Sequence, residues 1–498
     1  MKKRISIPVD RPKINVLNKE KIQQIHDASL EILQKVGVKV LQPDARDLLA
    51  IAGAEVINDE LVKIPPRIVE ECLDMAPSSI SVYDRDGNPA MLLEAQNIYF
   101  GTGCTIQFVW DIETGERRET TMGDIESVAR IVDYLPNIDF VMHMGMTGGV
   151  DATSIGLNSK VTDRYDFAAI LRNTTKPLAF SCWSAEGLAD CYEMALACRE
   201  GREKAFAEKP FILHYCEPTT PLIQAKDPLE ELLFCAEKSI PVIHVSALVQ
   251  GGTAPATVAG CLVLSNAEFL SGLVIGQLKK KGAPMIYGGG ASPLDMRTGV
   301  NLYSGPEFIL NHIALKEMAE FYQLPDFNTA GATDSKMLDQ QAAADYALSI
   351  FQAAIVGSNV IHDVGYMESG YTASWEGIVL ADEIIDYMKI LLKGIPVNDD
   401  TLALDVIMKQ GPGGNFISDK HTFEHFREVW YPKLMDRNNY SNWVKEGAKD
   451  LKSKLNSKVK EILTNHKPKP LGATIASQVD TILERAKEKY PVQLAQTE

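Results

Sequence analysis

From Ile98 onward, short apolar runs alternate with longer segments whose apolar residues recur at helical spacing. The runs are Ile98–Gly101, Ile138–His143, Pro177–Cys182, Phe211–Tyr215, Val242–Ser246, Met285–Gly288, Phe327–Ala330 and Asn359–Asp363. Each is four to six residues long, which suits a strand buried on both faces. Between them lie stretches such as DIESVARIVDYL, NAEFLSGLVIGQLKKKG and PEFILNHIALKEMAEFY, which read as helices. Eight such units over 96–394 predict an α/β fold, a (β/α)8 TIM barrel. A doubly wound open sheet is the alternative, but it carries a glycine-rich phosphate turn after its first strand, and FGTGCTIQ supplies only G-x-G. A hairpin turning at ETGE is expected there instead.

The pattern differs on either side of this region. Residues 1–95 predict an α+β extension: a helix over 19–38, two shorter helices near 45–52 and 66–75, and a hairpin of Ile80–Tyr83 with Met91–Leu93. Residues 395–498 begin with loop-like and aromatic stretches and end in charged helices near 443–463 and 473–490, a helical region expected to pack on the barrel. Its apolar content leaves room for a homo-oligomer.

The stretch Leu324–Gln341 is the most informative single unit, a strand, a polar loop and a helix begun by Asp339. Thr333, Asp334 and Lys336 fall in the loop, at the edge where parallel sheets bind ligands. Taken alone, Asp334 and Ser335 read as helix caps. Other strand ends are loaded in the same way: Thr102 and Cys104; His143; Cys182 and Trp183; His214, Tyr215 and Glu217; His244 and Ser246; Tyr287; His362, Asp363, Tyr366 and Glu368. Their convergence on one rim predicts a pocket.

Composition narrows the ligand. A formal charge of −16 argues against nucleic acid and anionic membrane surfaces. No run reaches the ~18 apolar residues of a membrane span, and MKKRISIPVDRPK lacks the apolar core of a signal peptide, so a cytoplasmic protein is expected. The eight cysteines form no Cys-x-x-Cys pair and read as reduced thiols. Two chemistries suit the rim. His143, His214, His244 or His362 could ligate zinc, although no metal-binding spacing accompanies them. Tyrosine and tryptophan faces with Glu368 and Asp334 could instead cage a quaternary ammonium.

The runs AGATDSKMLDQQAA, FGTG, VSALVQGGTAPATVAG, NAEFLSG, GSNVIHDVGYMESG and KGIPVNDDTLALDVI, with DRNNYSNWVKEGAKDL, together resemble the trimethylamine methyltransferase superfamily nearly end to end. The resemblance implies a TIM barrel whose C-terminal face docks a corrinoid protein. The archaeal trimethylamine enzymes carry pyrrolysine in the loop matching Gly331–Asp334, where this chain has Ala332 and Thr333. It therefore resembles the pyrrolysine-free branch, similar to methyltransferases acting on quaternary amines such as glycine betaine. What this implies is a cob(I)alamin acceptor on a partner protein, no metal of the chain's own, and no residue acting as acid, base or nucleophile. The expected substrate-binding residues are Glu368, Asp334, Tyr99, Trp183, His214, Tyr287, His362 and Tyr366; the expected corrinoid-facing residues are Gly251, Gly252 and Gly289. A non-catalytic betaine-binding protein is the rival outside enzymes.

Overall fold

The computed structural model describes residues 12–492. All eight apolar runs contribute backbone pairing: Tyr99–Phe100, residues 140–141, Leu178–Phe180, Ile212–Cys216, Val242–His244, Met285–Tyr287, Phe327–Thr329 and Val360–His362. Their pairing is parallel throughout, as an α/β fold of the TIM-barrel-like kind requires. Single bridges, Gly101 to Phe140, Val141 to Leu178 and Tyr287 to Asp326, join the better-formed ladders.

Side chains alternate across these strands, and that alternation decides what can meet a ligand. Phe140, Met142, Ala179, Leu213, Ile243, Val245, Ile286, Phe327 and Val360 point inward and pack as one lumen core. The hairpin Ile80–Tyr83 with Pro89–Leu93 closes the floor with Ile80, Val82, Met91 and Leu93, which join the same core. Fully burying each such side chain contributes about 1.5–3 kcal/mol. The floor therefore has no room for a ligand, and access is from the strand C-termini.

Helix Val258–Lys279 is apolar on nearly every face, long enough to cross a membrane by length and composition, yet mostly buried. The N-terminal helices Lys19–Lys35, Pro43–Ala52 and Pro66–Leu73 pack against it, which accounts for its lack of a polar side. At the other end of the chain, Leu451–Asn465 packs on Met122–Tyr134 and Trp375–Leu391, and Ala473–Lys489 packs on Ala185–Ala197. The expected hairpin after the first strand is Phe108–Trp110 with Arg117–Glu119.

Candidate active site

Two segments build the mouth of the lumen. The first is the loop after Phe100. A Cβ on Gly103 would fall 2.1 Å from the Tyr366 ring, so only glycine lets that ring lie against the first strand's exit. The Tyr366 hydroxyl donates to the Cys104 carbonyl at 3.1 Å. The second is the loop after Val360–His362, in which Asp363, Glu368 and Ser369 all have positive φ, at 72°, 54° and 55°. Left-handed non-glycine residues cost energy and cluster where geometry serves function.

His362 faces the lumen, stacked on Phe327 with ring centroids 4.0 Å apart, and its Nε2 lies 2.8 Å from Thr329 Oγ1. Its Nδ1 is 2.7 Å from Asp363 Oδ1, but the angles do not make a hydrogen bond, so both atoms stay buried without a hydrogen-bond partner. At that separation imidazole and carboxylate still hold one another, which fixes Asp363 beside the lumen. Tyr215 reaches the same space beside Phe327 and His362, with its hydroxyl on Glu217. Tyr303 enters from the loop beyond Gly290–Asp295 and approaches Gly370 together with Tyr366.

Electrostatics tie Cys104, Tyr215, Glu217, Tyr303, Asp363 and Tyr366 into one cluster. Burial pushes the Cys104 thiol up to about 12, helped by the negative charges of Asp363 and Glu217. Burial pushes Tyr215, Tyr303 and Tyr366 well above the ordinary phenol value, with Glu217 and Asp363 adding to the rise at the first two and Asp363 at Tyr366. Burial of its carboxyl beside Tyr215 raises the Glu217 pKa above the usual carboxylate range, with the charge of Asp363 adding to the rise. The cluster therefore offers neutral aromatic faces, a protonated thiol and two carboxyl groups, a set that attracts a cation and supplies no nucleophile near neutral pH.

The expected site residues divide. Tyr366 and His362 belong to the cluster. Asp334 stands beside it, accepting from the Tyr303 backbone at 2.7 Å and from the Ser304 and Ser369 hydroxyls at 2.7 and 2.8 Å. It joins the Tyr303 loop to the 366–371 loop. The helix cap is Asp339, whose side chain accepts from Ala342. Glu368 is paired with Arg117 at 2.8 Å and accepts from Thr372 at 2.6 Å, while Arg117 lies 3.6 Å over the Phe108 ring. Its charge is already compensated.

Four expected residues lie elsewhere. Tyr99 is at the floor, accepting from the Leu92 backbone. Trp183 is 47% exposed beside a separate cleft behind the third strand, with His143, Asp163 and Asp166. His214 and Tyr287 occupy outward-facing strand positions, where His214 meets Glu231 at 3.0 Å and Tyr287 donates to Asn266 at 3.1 Å. Among the expected corrinoid-facing glycines, Gly251 and Gly252 lie in the turn after the ribbon Ala247–Gln250. Gly289 is buried, and a Cβ there would fall 2.1 Å from Ser265 Oγ. It serves strand–helix contact.

Among the described residues, the rim histidines His143, His214, His244 and His362 do not converge as a metal centre would need; Asp400, His421 and His425 do lie close together, but they belong to the segment after the last barrel helix and not to the strand ends. His214, Cys216 and Glu231 lie close together behind the strands, but His214 and Glu231 are bonded to each other and burial holds the Cys216 thiol protonated. Burial also lowers His143 and His244 to about 4. Tyr215, Glu217, Asp363 and Cys104 stand on the rim in sequence without belonging to the expected substrate-binding set, and nothing in the sequence marks Tyr303. The two-residue strand period could have found Tyr215, because it shares a face with Leu213 and His214 does not.

The family model described as "Trimethylamine methyltransferase (MTTB)" matches residues 2–491. A trimethylamine methyltransferase MttB of Desulfitobacterium hafniense DCB-2 is 31% identical over 95% of this chain and 94% of its own. A glycine betaine methyltransferase of D. hafniense Y51 is 31% identical over 96% of this chain and 98% of its own. Among solved structures, the Methanosarcina barkeri monomethylamine methyltransferase (MtmB) superposes with a TM-score of 0.51 at 12% identity, covering 96% of this chain and 89% of that one, a likeness of fold alone.

Proposed function

Because this chain belongs to the trimethylamine methyltransferase family, we propose that it moves a methyl group from a quaternary amine, glycine betaine first, to the cob(I)alamin of a separate corrinoid protein. The observation carrying this reading is the mouth cluster, in which Asp363 and Glu217 sit among three tyrosines that remain neutral. The reading uses a closed (β/α)8 barrel, and the strand pairings that start from Tyr99–Phe100 and return to it support that closure.

The choice of a quaternary over a tertiary amine rests on the Gly331–Asp334 loop. Thr333 donates its backbone N–H to the Tyr366 carbonyl at 3.1 Å and its hydroxyl to Asp345 at 2.6 Å, while Ser369 donates back to the Thr333 carbonyl. The loop is thus tied to its neighbour, and its residues include no long side chain aimed at activating an amine.

The chemistry asks little of the protein. When bound, the carrier's cob(I)alamin supplies the attacking electron pair. A quaternary ammonium departs as a neutral amine, so no side chain has to give or take a proton. Tyr215, Tyr303 and Tyr366 hold the cation through their ring faces, while Asp363 and Glu217 supply the attracting charge. His362, fixed by Thr329 and stacked on Phe327, holds Asp363 in place. Two carboxyls, one of them with a raised pKa, bind the ground-state cation without over-stabilising it relative to a transition state whose charge is dispersing. Cys104, held protonated, does not compete for the methyl group. The rim also suits a corrinoid, because the protonated thiol and the His362 ring, with Nε2 against Thr329 and Nδ1 against Asp363, leave no free thiolate or imidazole to capture its cobalt. The setting is the cytoplasm.

A panel of methylated amines with cob(I)alamin as acceptor tests the proposal. Methylation of the added cobalamin by glycine betaine or another quaternary amine is expected, with trimethylamine inert. Turnover of trimethylamine alone would overturn it.

A further inference from the structure

Away from the mouth, the segment after the last barrel helix brings three ligating side chains together. His421 and His425 lie four residues apart on helix Lys420–His425, so their rings share one face, with centroids 4.2 Å apart. Both turn toward Asp400 on helix Asp399–Leu402: His425 Nε2 is 3.3 Å from Asp400 Oδ2, and His421 Nε2 is 3.1 Å from the Asp400 carbonyl oxygen. One atom from each of the three residues falls within 4.8 Å of the other two. A tetrahedral zinc ion with bonds of ~2.0–2.2 Å separates its ligand atoms by ~3.3 Å. The Asp400 side chain, 69% exposed, has the freedom to close that difference.

The surroundings fit an ion as well. The other ring nitrogen of His425, Nδ1, lies 2.9 Å from Glu428 Oε1. Metal-bound histidines give their second N–H to such a carboxylate, which fixes the tautomer and leaves Nε2 bare for the metal. Asp419 sets the helix that carries both rings: buried, it accepts from the His421 backbone N–H at 3.0 Å and from Lys409 and Gln410 at 3.0 and 3.2 Å. The protein alone gives this arrangement little support. Among the described residues, helices Asp399–Leu402, Leu404–Gln410 and Lys420–His425 bury no side chain, and isolated helices under ~12 residues are marginal in water. Segments without a core of their own are held together by disulfides or by a metal, and the cysteines all lie before residue 262. Two imidazoles and a carboxylate, with no thiolate, suit a borderline divalent ion such as zinc better than calcium or magnesium.

We propose that Asp400, His421 and His425 bind a zinc-class divalent cation, with Glu428 orienting His425, and that the ion ties helix Asp399–Leu402 to helix Lys420–His425. The site is remote from the mouth: Asp382 and Lys389 of Trp375–Leu391, the helix that leads into the segment, bond Asn137 just before the second strand begins. The resemblance implies no metal of the chain's own, and this ion takes no part in methyl transfer, so its test reads binding and backbone protection. Calorimetric titration of the chelator-treated full chain with Zn2+ should show one ion bound per chain, undisturbed by Mg2+. Glu428→Gln should weaken binding by the ~10–100-fold that losing a ligand's hydrogen-bond partner costs, and His421→Ala with His425→Ala should weaken it further. With Co2+ as the probe, d–d bands should appear without a thiolate charge-transfer band, which separates this site from His214, Cys216 and Glu231. Amide exchange over 399–425 in the wild type should slow with Zn2+ and quicken again with chelator, a measurement that needs no variant. Failure to bind Zn2+, binding unchanged in the folded double variant, a thiolate band, or exchange indifferent to Zn2+ would each overturn the proposal.

Discussion

Asp363 combines a left-handed backbone, a buried carboxylate oxygen without a hydrogen bond and a place between His362 and the tyrosines. Asparagine tolerates that backbone region better than most residues, so Asp363→Asn removes charge without reshaping the loop. We expect KM for the quaternary amine to rise ~10–100-fold, the cost of one desolvated charge interaction, with little change in melting temperature. Glu368→Gln should cost much less, because Arg117 already neutralises Glu368; steady-state kinetics of the two variants side by side would reveal the reverse order if Glu368 were the principal anion. Glu217 adds a pH dependence. Its raised pKa means that the carboxylate protonates before an ordinary one would as pH falls, so substrate affinity should weaken on acidification from neutral pH. A KM profile measured for wild type and Glu217→Gln checks this: the acid limb should vanish in the variant. At this scale the sequence was legible as residue types on a rim. Which of them turn inward depended on strand register, and Tyr303 depended on a loop whose path Asp334 sets through hydrogen bonds invisible in the sequence.

The strands and helices were the most legible part, because period and length decide them: each predicted strand overlaps an observed pairing. Loops were less legible, since their shape comes from close approaches such as that of Gly103 to Tyr366. Gly103→Ala must displace that ring and should lower transfer activity at least tenfold while the chain still folds, with circular dichroism as the control. A second element-scale effect comes from Glu268 in the middle of Val258–Lys279. Burial raises its carboxyl pKa to about 7, and one of its oxygens has no hydrogen-bond partner. Between its ordinary value near 4.5 and about 7, the folded chain therefore holds a proton that the unfolded chain has released. Stability from this group is greatest at low pH and is lost as pH rises through the window, by at most on the order of 3 kcal/mol. Urea unfolding should show Glu268→Gln gaining on the wild type between about pH 5 and pH 8. A constant difference across that range would mean that Glu268 is not protonated in the fold.

At the scale of the whole molecule, the fold separates its tasks. The hairpin at the floor and the lumen core exclude ligands from one end, the N-terminal helices cover the apolar helix Val258–Lys279, and the mouth collects the acidic and aromatic residues. The central claim is that this mouth recognises positive charge on a trimethylated centre. Calorimetric titration of glycine betaine against 3,3-dimethylbutanoate, its uncharged-carbon isostere with the same carboxylate, tests that claim with shape held constant. The account predicts that the wild type binds betaine at least tenfold more tightly, and that Asp363→Asn removes most of the difference. Equal affinity for the two ligands in the wild type would contradict it.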